Sequence, residues 1–451
     1  MSNERLEPAL RCAVDAAMAA GANDAEASYR GTETQFTRFA SSRFTQVGRT
    51  WSDTLRIRVL VDGRLGTQVC ASLVDESVRS GAAAAVNAAR LSPKLDVDLA
   101  FNTGSEQTDA PAETELPDHV TAARVPKQLS EAFETNKADG VQFAGSLKAY
   151  RQILAVRTAG GLTRSFQDTF ADAQLIGLIG KASGFAGWCG VPGQSLDIDS
   201  LARTAAEKAR GSRDAIELQP GPYDVVLAPE AVAELLEWMA AASFSATTVL
   251  DGTSLLAGRD GETVCDERIS VYDEADPDEL PFDAEGTLRR KVTFIDAGKV
   301  GRPVSDKATA ARMGGGAEST GHAPNIADSH AMDPAVMHLR MAPGDKSEAE
   351  LIASVDRGLY ITRFHYVNGL LDTRHATMTG MTRDGTFLIE NGKLSTGVRN
   401  MRFTQPMLEA FSRLGGLGKD VKDVPSWWSE GGIISTPAML LRQFQFTGKS
   451  K

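Results

Sequence analysis

Histidine and cysteine are scarce in this chain of 451 residues, and that scarcity limits the chemistry open to it. The four cysteines (Cys12, Cys70, Cys189, Cys265) are scattered without a CxxC spacing. They form neither a disulfide framework nor a thiolate metal site, and suit reduced thiols in a cytoplasmic protein. No uncharged apolar run is long enough to span a bilayer. The N-terminal stretch "MSNERLEPALRCAVDAAMAAG" carries Glu4, Arg5 and Glu7 where a secretory signal needs an apolar centre. No GxSxG elbow and no Walker loop occurs, and the glycine-rich "RMGGG" at 312–316 lacks the Lys-Ser/Thr that would hold phosphate. The formal charge of −11 gives no reason to expect nucleic acid or an anionic membrane as partner.

What is present is ordinary globular material, 42% hydrophobic and 24% charged, in a length that suits two or three cores. Leu6, Leu10, Val14 and Ala17 recur at helical spacing up to Gly21. Leu55, Ile57, Val59 and Val61 alternate as in a half-buried strand, Asp62-Gly63 supplies a tight turn, and Leu65, Thr67 and Val69 continue the hairpin. A second, alanine-rich helix opens at Asp75. Residues 1–100 therefore read as an α+β unit, and 101–118 as an acidic linker or loop. Residues 119–219 continue the first domain, with a helix near 122–137, strands near 141–156 and 162–180, and a capped helix in "DIDSLARTAAEKARG". From 220 to 451 the chain becomes rich in glycine and short strands, after a short buried strand and a helix with Pro229 in its first turn.

Two histidine groups are candidates for chemistry. In "GLYITRFHYVNGLLDTRHATMTG", strand alternation puts His365 on the face of Leu359 and Ile361, with Phe364 and Tyr366 opposite. A hairpin would let His365 and His375 share an ion with Asp372, although a catalytic zinc wants three protein ligands in a recognised geometry. Structural histidines are the plainer reading. His322, His330 and His338 recur every eight residues, but Pro324 and Pro334 break any helix that would align them. The helix "PEAVAELLEWMAAASF" carries carboxylates and a core stripe of Val232, Leu235, Leu236 and Met239, but no imidazole.

Several longer stretches, "RVLVDGRLGTQV", "LPFDAEGTLRRKVTFIDAGKV", "STGHA", "APGDKSEAELIASVDRGLYIT" and "GTFLIENGKL", occur in the order found in the TldD/TldE (PmbA) peptidase family, which this chain resembles over nearly its whole length. The resemblance implies an N-terminal α/β domain with helices packed on a sheet, followed by a C-terminal domain of curved antiparallel sheet. It also implies a heterodimer. One subunit kind, TldD, binds zinc through an H-E-x-x-x-H helix and a later cysteine, and the TldE kind lacks those ligands and completes the chamber. Laid on that motif, the histidine positions fall on Glu237 and Ala242, the glutamate on Trp238, and the cysteine at about Trp427. The chain thus resembles TldE, with no catalytic residue and no metal of its own. The implied partners are a zinc-carrying TldD-type subunit and an unstructured or small peptide, including leader segments of modified peptides; a homodimer is expected when the partner is missing. Asp283, Glu285 and Gly286 of "FDAEG", and Thr320, Gly321 and His322 of "STGHA", are candidates for the substrate side of the chamber, against a plain reading as turns. The alternatives are a self-sufficient homodimeric hydrolase using His365, Asp372 and His375, and a peptide-binding scaffold.

Overall fold

The computed structural model describes residues 3–104, 107–108, 125–190, 196–276, 279–324, 333–427 and 432–449. Most of the acidic 101–118 stretch, and His330, lie outside the described residues. In the first part, α1 (Asn3–Ala19) leads into β1 (Asp24–Ala40), β2 (Arg43–Val61), β3 (Arg64–Cys70) and α2 (Asp75–Leu91). The short β4 (Gln107–Thr108), α3 (Val125–Lys137), β5 (Gln142–Thr158), β6 (Thr163–Ile179), β7 (Ala182–Gly190) and α4 (Ile198–Gly211) complete it. The strands form one seven-stranded sheet in the order β3-β2-β1-β5-β6-β4, with β7 also on β6.

That sheet is the middle of three layers. Ala25, Ala27, Tyr29, Leu55, Ile57 and Val59 point to α1 and α2, and Leu147, Ala149, Ala171 and Ala173 point to α3 and α4. The opposite face carries Glu26, Arg56 and Arg58 beside Leu154 and Val156, and is covered by the C-terminal part. The Asp62-Gly63 turn forms as expected, with both residues at positive φ (51° and 73°) between β2 and β3. Asp197 caps α4 by accepting from the Ser200 amide at 2.9 Å.

The second part begins with β8 (Gly221–Leu227), α5 (Pro229–Ser243) and α6 (Ala246–Leu250). Then come β9 (Val271–Asp273), β10 (Val292–Asp296), β11 (Lys299–Val300), α7 (Lys307–Met313), β12 (His338–Met341) and α8 (Glu348–Ala353). It ends with β13 (Arg357–Asp372), β14 (Thr377–Glu390), β15 (Lys393–Gly397), β16 (Met401–Pro406), α9 (Met407–Ser412), β17 (Leu414–Pro425) and β18 (Ile433–Lys449). β8 pairs with both β13 and β18, so the path β8-β13-β14-β16-β18 closes on itself. Closure removes the edges that a curved sheet would otherwise expose. Its pairings are mostly antiparallel, as expected, and two, β8–β13 and β12–β18, are parallel. A parallel neighbour requires a crossover, and the long chain from α5 to α8 supplies it between β8 and β13. The helix α5, apolar on most sides, packs on β13 and β18 inside the largest core. Among the described residues no helix is long and apolar enough to cross a membrane.

The two parts are joined by buried charge. Arg58 of β2 contacts Glu26 of β1 at 2.9 Å and Glu285 of the "DAEG" turn at 2.7 Å, and all three side chains are almost fully buried. Burial works against the Arg58 charge, but the two carboxylates outweigh it and raise its pKa, while burial raises that of Glu26. Removing one member of such a set strands the others, at a cost of about 3–5 kcal/mol. Arg58→Met should therefore lower stability to urea by that order, and adding Glu26→Gln with Glu285→Gln should recover much of it. Equal unfolding midpoints for wild type and Arg58→Met would show that the cluster does not hold the parts together.

Candidate functional site

The helix α5 repeats carboxylates at 230, 234 and 237, a 4-then-3 spacing that places them along one face. Two of them meet donors from later in the chain. The Lys422 ammonium donates to Glu230 at 2.6 Å. Glu234 lies near the backbone amides of Phe364 and Val367 at the bulged part of β13, and its Oε2 is buried without a hydrogen-bond partner among the described residues. The Ser426 hydroxyl donates to Glu237, and the Trp427 amide does so at 3.3 Å. The structure thus brings Glu237 and Trp427 together, two of the three positions equated above with zinc ligands. Ala242 lies further along the helix and is buried, and Trp238 packs against Gly369, where a Cβ would come within 3.0 Å of the indole.

Arg363 completes this region. Its guanidinium donates to Asp384 and lies between the rings of Phe185 at 4.5 Å and Trp427 at 5.3 Å. The space beside it, lined by Phe185, Arg363, Lys422, Asp423 and Trp427, is about 10 Å³, room for a single water. The Glu230–Lys422 pair also borders a roomier cavity of about 350 Å³ with Lys208, Glu348 and Tyr360. Burial pushes the Glu234 pKa up to about 7, Glu237 adds to the shift, and Arg363 with the two amides opposes it. Sequence reasoning saw carboxylates on this helix but missed their common stripe, which the spacing E-x-x-x-E-x-x-E could have revealed. Nothing in the sequence pointed to Arg363.

The candidates for the chamber form two interlocked turns. Asp283 accepts from the amides of Glu285 and Thr287, both at 2.9 Å, and from that of Ala323 at 2.8 Å, linking "DAEG" to "STGHA". Burial, then the neighbouring Glu285 charge, raises its pKa. Glu285 is taken up by Arg58 and by the Lys307 amide at 3.1 Å. Gly286 and Gly321 both have positive φ (73° and 77°), and a Cβ on Gly321 would lie 2.4 Å from the Leu288 carbonyl oxygen, so only glycine fits. The Thr320 hydroxyl lies 2.9 Å from His322 Nδ1, and His322 Nε2 lies 3.0 Å from Asp273. Burial works to raise the Asp273 pKa, but His322 and Arg289 outweigh it and hold the carboxyl well below the usual range. Asp283, Glu285 and His322 are fully buried, and none of the six lines a described cavity except Thr320, at the rim of an open cleft.

The alternative histidine set is not assembled. His375 Nδ1 meets Asp372 at 2.8 Å in the 3₁₀ turn Thr373–His375. His365 lies opposite Met381 of β14 whereas Asp372 lies opposite Thr377, four residues or about 13 Å away along that strand, and the His365 ring is 4.2 Å from that of Tyr366. The expected alternation also fails here. Register shifts at Ile361/Arg363 and His365/Asn368 let Phe364 join Leu359 and Ile361 in the core, and Tyr366 is left exposed at a φ of 51°.

Among the described residues, the metal-type donors that come within 4.8 Å of one another are Asp276, Glu279 and His338. A guanidinium already serves them: Arg340 donates to Asp276 at 2.6 Å and lies 3.1 Å from His338 Nδ1, where an added cation would be repelled. His338 also has the spacings of a serine–histidine–acid set, 2.7 Å from Ser435 Oγ to Nε2 and 2.6 Å from Nδ1 to Glu279. It does not make a nucleophile. Ser435 is buried in mid-strand between β12 and β17, and its hydroxyl donates to Asp423 at 2.5 Å. The neighbouring cavity of about 150 Å³ is lined by His338 and Glu279 but not by Ser435.

Comparison with known proteins agrees with the resemblance read from the motifs. The PmbA/TldA metallopeptidase C-terminal domain matches residues 220–448, and PmbA/TldA metallopeptidase domain 1 matches residues 25–90. A metalloprotease of Methanothermobacter thermautotrophicus is 25% identical over 382 residues, covering 81% of this chain and 82% of its own. The metalloprotease TldD homolog of Buchnera aphidicola is 26% identical over 51% of this chain and 47% of its own. TldE from Thermococcus kodakarensis superposes with a TM-score of 0.84 at 18% identity, covering 98% of this chain and 100% of that one, a likeness of fold. With a family domain matching half the chain and a second matching its start, this protein belongs to the PmbA/TldD metallopeptidase family.

Proposed function

We propose that this chain is the zinc-free, TldE-like subunit of a two-subunit metallopeptidase. The observation that carries the reading is the donor set on α5 and the chain after β17. A catalytic zinc needs three protein ligands, and the positions equated with them hold a carboxylate, a methyl and an indole. Ala242 offers no donor atom and the Trp427 indole no suitable lone pair. Glu237, the one possible ligand, is already bonded to Ser426 and Trp427. A TldD-type partner supplies zinc, activated water and the glutamate base. This chain supplies part of the chamber wall, and unstructured or small peptides, leader segments of modified peptides among them, are the substrates that an enclosed chamber admits. A cytoplasmic location suits its reduced thiols.

Co-expression with a TldD-type subunit tests the reading. Peptide cleavage and stoichiometric zinc are expected in the mixture and in neither case with this chain alone. Hydrolysis by the isolated chain, with tightly held zinc, would overturn it.

Glu234 gives a test of the carboxylate stripe itself. Its folded pKa, about 7, lies above the unfolded value of ~4.3, so the fold favours the neutral acid. That stabilisation is complete below the unfolded value and is lost as pH rises through about 7. Glu234→Gln should match wild type in thermal midpoint near pH 4 and exceed it above pH 8. Parallel curves across that range would show that the group does not titrate as described.

A further inference from the structure

A cavity of about 350 Å³ opens where α4 of the first part meets the start of α5, α8 and β17 of the second. Lys208 lines it from α4, and Glu230, Glu348, Tyr360, Asp420 and Lys422 line it from the other side. Some of these groups are already bonded. Lys422 donates to Glu230 at 2.6 Å, and the Tyr360 hydroxyl donates to one oxygen of Glu348 at 3.1 Å. Half-buried Lys208 enters no hydrogen bond or ion pair among the described residues, and the second oxygen of Glu348 receives no donor from them either. Burial lowers the Lys208 pKa, with Glu230 opposing, and burial raises that of Glu348, with the Tyr360 hydroxyl opposing. Lys208 and Glu348 act on each other electrostatically, yet they do not meet as an ion pair. Ala228, Pro229, Val421 and Ala438 give the cavity an apolar wall.

We propose that this cavity binds a small zwitterion, a free amino acid or a dipeptide, with its carboxylate on Lys208 and its ammonium on Glu348. The charges select this class. Glu230 and Lys422 satisfy each other, so the cavity offers one unmatched donor and one unmatched acceptor, and a zwitterion completes both. A simple anion would bond to Lys208 but face the carboxylates of Glu230, Glu348 and Asp420. A simple cation would bond to Glu348 beside two ammonium groups. Either leaves one group unmatched in a site sheltered from water, which is costly. The volume is at the lower end for small-molecule pockets, with room for one or two residues and not for a longer peptide. The apolar wall suits an aliphatic side chain. The site uses none of the positions equated with zinc ligands and does not rest on the peptidase reading.

Isothermal titration of the full chain at neutral pH tests this with L-leucine and L-alanyl-L-alanine. At least one should bind with a Kd on the order of 0.1 mM, and the tighter of the two tells amino acid from dipeptide. The N-acetyl derivative of that compound lacks the ammonium and its C-terminal amide lacks the carboxylate, and each should bind about tenfold or more weaker. Lys208→Met should weaken the parent compound by about tenfold yet leave the amide unchanged, since the amide no longer uses that ammonium. Glu348→Gln should likewise weaken the parent but leave the N-acetyl derivative unchanged. A variant that merely disturbed the cavity would weaken every ligand alike. Thermal unfolding without ligand confirms that each variant keeps the fold. No binding of either compound at about 10 mM, derivatives as tight as the parent, or variants that weaken all ligands equally would each overturn the site. None of these outcomes alters the assignment as a peptidase subunit, which the zinc and cleavage measurements decide separately.

Discussion

The Arg58 guanidinium is the constraint around which both parts of this protein are arranged. It sits on the covered face of the N-terminal sheet, between a carboxylate of its own layer and one brought by the C-terminal part. A charge so buried is tolerable only when its partners are in place. The "DAEG" turn therefore has to arrive in one position, and its own bonds fix it there. Asp283 ties the turn to "STGHA", and Asn102 donates to the Glu285 carbonyl at 2.7 Å. Apolar contacts of Leu154 and Val156 with Phe282 and Ala284 surround the cluster. They add burial without direction, and the charges add the register.

This explains why motifs that stand out in the sequence turned out to lie at the junction of the two parts. Short stretches of Asp, Glu, Gly and His look like catalytic machinery because catalysis also needs acids and turns in fixed places. In the structure these side chains are spent on each other: Asp273 alone serves Arg289, His322 and the amides of Met337 and His338. A reader of the sequence could see that the residues were special but not what they faced, because the partners, Arg58 and Asn102, come from a distant part of the chain.

The legible elements were those whose pattern is local. The Leu55–Val69 hairpin showed itself by alternation on one face and Asp62-Gly63 at its turn, and α4 and α5 by Asp197 and Pro229 at their starts. β1 was missed because both its faces are buried. Glu26, Ser28 and Thr32 face the junction and Ala25, Ala27 and Tyr29 the helices, so polar residues appear at positions that an ordinary half-exposed strand would leave to solvent. The exposed half of β2 was missed for the opposite reason, since it has little to bury. Closure of the second sheet depends on β8 meeting both β13 and β18, a pairing of segments far apart that no periodicity records.

The helix α5 is fixed against later segments of the chain by its carboxylates. Hydrogen bonds make the connection: Glu237 reaches Ser426 and Trp427, and Glu230 reaches Lys422. Glu230 and Glu237 thus tie the helix to β17 and the chain that follows it. Glu237 is buried, and its bonds to Ser426 and Trp427 satisfy a carboxylate largely shielded from water.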